Sequence, residues 1–178
     1  MITAIAHPRA RARRSFGMAL TLGVLVASTA LHAQSAATPA RFDPAAFFTG
    51  RTTSEGTLSQ IFTSRKTTRV STFGTRQRNG DMVLEQDVTI GDQPTRHRTW
   101  RLRETTPGHF TGTISDAADD LTGTLSGNTL TLTYTMDNHL GVHQVITAQP
   151  GGQSARNVMR IRRFGITVAR LEEVIRRE

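Results

Sequence analysis

The chain has 178 residues, 22 Lys and Arg against 14 Asp and Glu, a formal net charge of +8, and no cysteine. That length suits one domain. The missing cysteine excludes a disulfide framework, a thiol nucleophile and a thiolate metal site.

The N-terminal stretch is the first predicted element. Residues 9–14, RARARR, are basic; Phe16–Leu31 then runs sixteen residues without a charge, and the small residues of HAQSAATPA follow. This order is that of a secretory signal peptide, and the apolar run is short for a membrane span. Cleavage is expected after Ala33, with Ala37 as the alternative. Arg13-Arg14-Ser15-Phe16 also fits part of a twin-arginine signal, so general secretion and folded export both stay open. The expected organisation is a signal peptide at 1–33, a flexible leader at 34–41 and one domain at 42–178, in the periplasm or secreted. Four of the 22 basic residues and none of the 14 acidic ones lie in 1–33, so the remainder carries +4. No run of five like charges remains, which speaks against a nucleic-acid partner. With no lipid-modifiable cysteine and no transmembrane segment in the mature chain, that domain is expected to wash free of membranes. The aromatic pair Phe47-Phe48 is the suspect patch if it does not.

FDPAAFFTG, residues 42–50, predicts one short helical turn with Asp43 as N-cap, Pro44 at the first helical position and Gly50 as the stop. From Arg51 to about Phe164, Thr, Val, Ile and Leu alternate with polar residues, and Gly, Asn, Asp and Pro punctuate. Such a pattern predicts strands near 51–63, 66–78, 81–90, 95–104, 108–115, 119–126, 129–137, 142–149 and 156–164. Asn79-Gly80 is a two-residue hairpin signal; Pro107-Gly108 and Gly127-Asn128 mark two more turns. Leu130, Leu132, Tyr134 and Met136 share one face of the clearest strand. VARLEEVIRRE, 168–178, is ambiguous: Val168, Leu171 and Ile175 have helical spacing, whereas Leu171, Glu173 and Ile175 would line one face of a strand. Local propensity favours the helix. The fold class expected is all-β: a small antiparallel up-and-down barrel of about nine to ten strands behind a short helical turn.

Several phrases, taken in order, resemble a known family. They are FFTG at 47–50, Arg98-x-Trp100-x-Leu102, Asp116, Gly123, Gly127-Asn128, Tyr134, Asn157, Phe164-Gly165 and the spacing on to Arg176. Together they resemble an uncharacterised bacterial lipoprotein family, a domain of unknown function with a lipocalin-like β-barrel, over about 42–177. The resemblance implies that the last segment is a closing strand rather than a helix. The chain departs from the family pattern in lacking the lipid-modified cysteine. Gln86 stands where a glutamate is expected, Val88 and Ile90 stand where aromatics are, and GVHQVITAQPGG has no Asp-Asp-Trp segment.

The candidate site centres on RHRTWRLR, residues 96–103. On a strand His97, Thr99, Arg101 and Arg103 share one wholly polar face, so Arg98, Trp100 and Leu102 point inward. Leu84, Gln86, Val88 and Ile90 form the apolar face of the preceding strand, which brings Gln86 near Arg98. An inward arginine is costly unless paired or wetted. Two readings are open. Arg98 holds the anionic head of an amphiphile in a wet lumen walled by Trp100 and Tyr134, or it makes structural hydrogen bonds to carbonyls, Gln86 or Glu173.

His139 and His143 lie across a turn and lack a third ligand, and SDAADD lacks the features of a calcium loop. No metal or cofactor is therefore expected. No Gly-x-Ser-x-Gly, His-Glu-x-x-His or phosphate-binding glycine loop occurs, so no catalytic residue is assigned and the chain is not read as an enzyme. The expected function is an exported envelope protein binding a hydrophobic or amphiphilic ligand, with Arg98, Trp100, Gln86 and Tyr134 as ligand-binding candidates and a lipid or other amphiphile as partner. The alternative is a packed structural or interaction barrel with no ligand. Oligomeric state is not legible.

Overall fold

Asp43 and Pro44 start a helix as their chemistry dictates. In the computed structural model, which describes residues 42–178, α1 (Pro44–Phe48) opens with the Asp43 carboxylate accepting the Ala46 amide at 3.1 Å. The expected signal peptide and leader lie outside the described residues. The Thr49 hydroxyl donates to the Ala45 carbonyl at 2.6 Å, and Gly50 at φ +91° turns the chain into the first strand. Phe42, Phe47 and Phe48 stack edge to face, with centroids 5.5 and 4.9 Å apart.

Ten strands follow: β1 (Gly50–Gln60), β2 (Lys66–Arg76), β3 (Met82–Ile90), β4 (Arg96–Thr106), β5 (His109–Ile114), β6 (Leu121–Ser126), β7 (Thr129–Thr135), β8 (Gly141–Ala148), β9 (Ser154–Arg163) and β10 (Ile166–Arg177). Each pairs antiparallel with its neighbour in sequence, and β10 pairs with β1 from Thr52 opposite Arg177 to Gln60 opposite Ala169, closing a barrel. Closure leaves no edge strand to be templated by another chain. Among the described residues no helix is long and apolar enough to cross a membrane.

One local expectation changes. The β2–β3 connection is not a two-residue turn at Asn79-Gly80. Gln77 and Asp81 are joined by a 2.7 Å backbone hydrogen bond, and only Gly80 takes a positive φ, +86°. A two-residue type I′ turn needs positive φ at both central residues; here the Asn79 side chain instead accepts the Asp81 amide at 3.1 Å and holds a longer loop. The last segment is strand, as the family resemblance implies and against its local propensity for helix. β9 and β1 each offer a row of unpaired backbone groups, and satisfying both outweighs the local preference for helix. Ala169, Glu173 and Ile175 point inward, and a bulge between Thr167 and Ala169 sets their register.

The core fills the α1 end. Phe42, Phe47 and Phe48 cluster with Met82, Leu84, Leu102, Phe110 and Leu130. Gly74 lets α1 come this close, because a Cβ at that position would overlap the Phe48 carbonyl. With Phe47 and Phe48 buried, the pair covers the barrel end and offers no surface patch for a membrane.

Candidate functional site

Above this apolar plug the barrel interior turns polar. The alternation of β3 and β4 points Gln86 and Arg98 inward, and the register sets them directly opposite each other. Arg98 Nε donates to Gln86 Oε1 at 3.1 Å, and Gln86 Nε2 donates to Thr72 Oγ1 on β2 at 3.0 Å. The Arg98 guanidinium also lies 5.3 Å from the centroid of the Trp100 ring and 3.8 Å from Asp116 in the β5–β6 connection. A hydrogen-bonded side-chain partner, an aromatic face and a carboxylate together meet the cost of placing a cation inside.

A second polar group faces it from β1, β9 and β10. Glu173 accepts from Asn157 Nδ2 at 2.7 Å and from Ser54 Oγ at 3.1 Å. Gly56 sits opposite Glu173 across the β1–β10 pair, where a Cβ would collide with the Glu173 backbone and Cβ. Burial raises the Glu173 carboxyl above its ordinary range, against the opposing pull of Asn157, Ser54 and the Arg98 charge. Tyr134 donates a long 3.5 Å hydrogen bond to Gln144 and packs edge-on to Trp100 at 5.5 Å. Burial pushes its phenol up to about 12, so it stays neutral.

Between these groups lies a cavity of about 40 Å³, lined on its polar side by Ser54, Thr72, Gln86, Arg98, Asn157 and Glu173 and elsewhere by Trp100, Leu132 and Met159. That is room for a few water molecules. Two buried polar atoms on its lining, Trp100 Nε1 and Asn157 Oδ1, have no hydrogen-bond partner among the described residues. A second cavity of about 110 Å³ forms the mouth, between Val88, Ile90, Pro94, Arg96, Asp116 and Met136. Arg98 lines both, so its side chain stands between interior and mouth.

Of the four residues singled out from sequence, Gln86, Arg98 and Trp100 line the inner cavity and Tyr134 buttresses Trp100. Sequence reasoning missed Ser54, Thr72, Gln144 and Asn157. Strand alternation places Asn157 on the buried face of β9 with Ala155 and Met159, and a lone amide on such a face is the signal that would have found it. His139 sits in the β7–β8 turn at φ +60°.

A family model described as a protein of unknown function, DUF3833, matches residues 22–177. No curated protein matches the chain. Among solved structures, an S-type phycobiliprotein lyase from Guillardia theta superposes with a TM-score of 0.59 at 7% identity, covering 75% of this chain and 90% of that one. The M. tuberculosis protein Rv2717c superposes with a TM-score of 0.55 at 14% identity, covering 77% and 99%. At these identities the likeness is one of fold, a barrel of the lipocalin-like kind.

Proposed function

The chain belongs to this family of proteins of unknown function, and from that premise we propose that its barrel is a non-catalytic binding module for a small amphiphile whose acidic head is held by Arg98. The observation that carries the proposal is the position of Arg98. It stands between the mouth and a partly unsatisfied polar interior, and its one carboxylate contact among the described residues, Asp116, is at a loose 3.8 Å. An incoming carboxylate or phosphate would displace Asp116 and take a charge-assisted, bidentate hold on the guanidinium. Its apolar part would lie against Trp100, Leu132 and Met159. Ligand pockets usually measure about 300–1,000 Å³, so entry requires the long side chains of Arg98, Gln86, Met82 and Met159 to swing aside. These are unbranched and have the freedom to do so. We place the protein in the periplasm or outside the cell, on the strength of the basic, apolar, small-residue order at 9–37.

The test is mass spectrometry of organic extracts from protein purified out of its own host, beside titration with a fluorescent fatty acid. A stoichiometric acidic amphiphile, lost in Arg98→Met, is the expected result. Protein that yields no such compound and does not bind the fatty acid would refute the proposal. It would favour the second reading, a barrel with no ligand, which draws on the small volume of the inner cavity.

A further inference from the structure

Two connections at the mouth end of the barrel carry aromatic residues where chain geometry calls for glycine. In the β1–β2 connection Phe62 has φ +61° and is fully exposed; in the β9–β10 turn Phe164 has φ +49° and is 92% exposed. Bulky residues avoid this left-handed region, which glycine or asparagine occupies more readily. Neither ring is buried in return, so no packing among the described residues accounts for the strain. Beside them Ile61 and Ile166 are 50% and 68% exposed. Because β1 pairs with β10, and Ile61 N–H donates to the Val168 carbonyl at 3.1 Å, the two tips stand side by side.

The charge around the tips is one-sided. Arg65 and Lys66 follow Phe62 in the β1–β2 connection and the start of β2, Arg162 and Arg163 precede Phe164, and none of the four makes an ion pair among the described residues. The Arg163 guanidinium lies 5.5 Å from the Phe164 ring centroid. The acidic residues of this rim, Asp92, Asp116, Asp119, Asp120 and Asp137, fall in the other three connections.

We propose that the rim formed by the β1–β2 and β9–β10 connections docks on an anionic lipid bilayer, with Phe62 and Phe164 entering the headgroup region and the four cations meeting lipid phosphates. Protruding aromatic tips ringed by cations match a soft, negatively charged interface, whose attraction adds to apolar burial. The acidic connections would be turned away by the same surface charge. This inference stands on exposure, backbone conformation and charge, and does not depend on the ligand reading. It would also set the barrel mouth beside lipid.

The test uses the full chain carrying Phe62→Trp or Phe164→Trp, with vesicles of phosphatidylglycerol and phosphatidylcholine, some brominated on their acyl chains, and with vesicles of phosphatidylcholine alone. Trp100 is buried and supplies a constant background. We expect blue-shifted tip emission, quenched by brominated chains on anionic vesicles only and reversed by salt. Phe62→Asn combined with Phe164→Asn keeps a residue suited to left-handed turns and should lower anionic partitioning by roughly tenfold or more. Tip emission that stays unquenched in vesicle-bound protein, or equal quenching on uncharged vesicles, would overturn the proposal. So would unchanged partitioning of the asparagine variant, or a blue shift that follows protein concentration without vesicles, which would mean that a second copy covers the tips.

Discussion

Arg98 and Asp116 meet at 3.8 Å across the mouth of the barrel, one from β4 and the other from the β5–β6 connection. The arginine side chain is 16% exposed and the aspartate 44%, so a mostly buried cation is matched by a half-open anion. A pair at that distance and exposure contributes about 0–1 kcal/mol. Asp116→Asn should therefore lower stability by no more than about 1 kcal/mol. It should tighten binding of a fluorescent fatty acid several-fold by removing a competitor for Arg98. Weaker binding in Asp116→Asn would mean that the aspartate itself holds the ligand.

Trp100 is 3% exposed and edge-on to Tyr134. As the sole tryptophan it should emit at short wavelength and resist a soluble quencher. Trp100→Ala should cost about 3–5 kcal/mol, the range for removing a large core aromatic. Denaturant titration measures this. A cost below about 1 kcal/mol would mean that the upper barrel is loosely packed.

Burial holds the Glu173 carboxyl above its ordinary value of 4.5. The folded chain thus binds this proton more tightly than the unfolded chain does. The contribution of Glu173 is complete below about the ordinary carboxylate value and is lost as pH rises through the raised one. Glu173→Gln, which cannot ionise, should flatten that decline in thermal melts taken from about pH 4 to about pH 8. Its amide can also donate to Asn157 Oδ1, which has no partner among the described residues. An unchanged pH slope would show that Glu173 is not its source.

Gly74→Ala probes the plug. The added methyl would overlap the Phe48 carbonyl, and relief requires α1 to move off β2. Such overpacking costs about 1–3 kcal/mol. Gly141→Ala has open space at its Cβ and serves as control. Equal midpoints for the two variants would show that α1 is not seated on Gly74.

The barrel was legible in the sequence because strand alternation and turn residues are local signals. Leu130, Leu132 and Tyr134 declare an inner face, and Pro107-Gly108 and Gly127-Asn128 mark hairpins where the structure has them. The inward arginine was legible for the same reason, since His97, Thr99, Arg101 and Arg103 are too polar to face a core. What faces Arg98 was less so. Thr72 comes from β2 by register, and Glu173 and Asn157 come from strands more than fifty residues away, brought across by barrel closure. The final strand defeated local propensity because the partners that decide it, β1 and β9, are supplied by the fold as a whole. The aromatic tips were missed because a phenylalanine at positive φ departs from the rule that turn prediction uses.

The β1–β10 seam also has a kinetic meaning. Its partners, such as Thr52 and Arg177, stand at opposite ends of the described sequence. Neighbouring hairpins can form as the chain emerges, but the ring cannot shut until its last dozen residues are available, and long-range pairing of this kind is slow. Until then β1 and β9 are both open edges able to recruit strands from other molecules. A chain cut short before Ile166 is thus a ring held open, with aggregation as its default fate. The interval between synthesis and closure is when this protein most needs a chaperone.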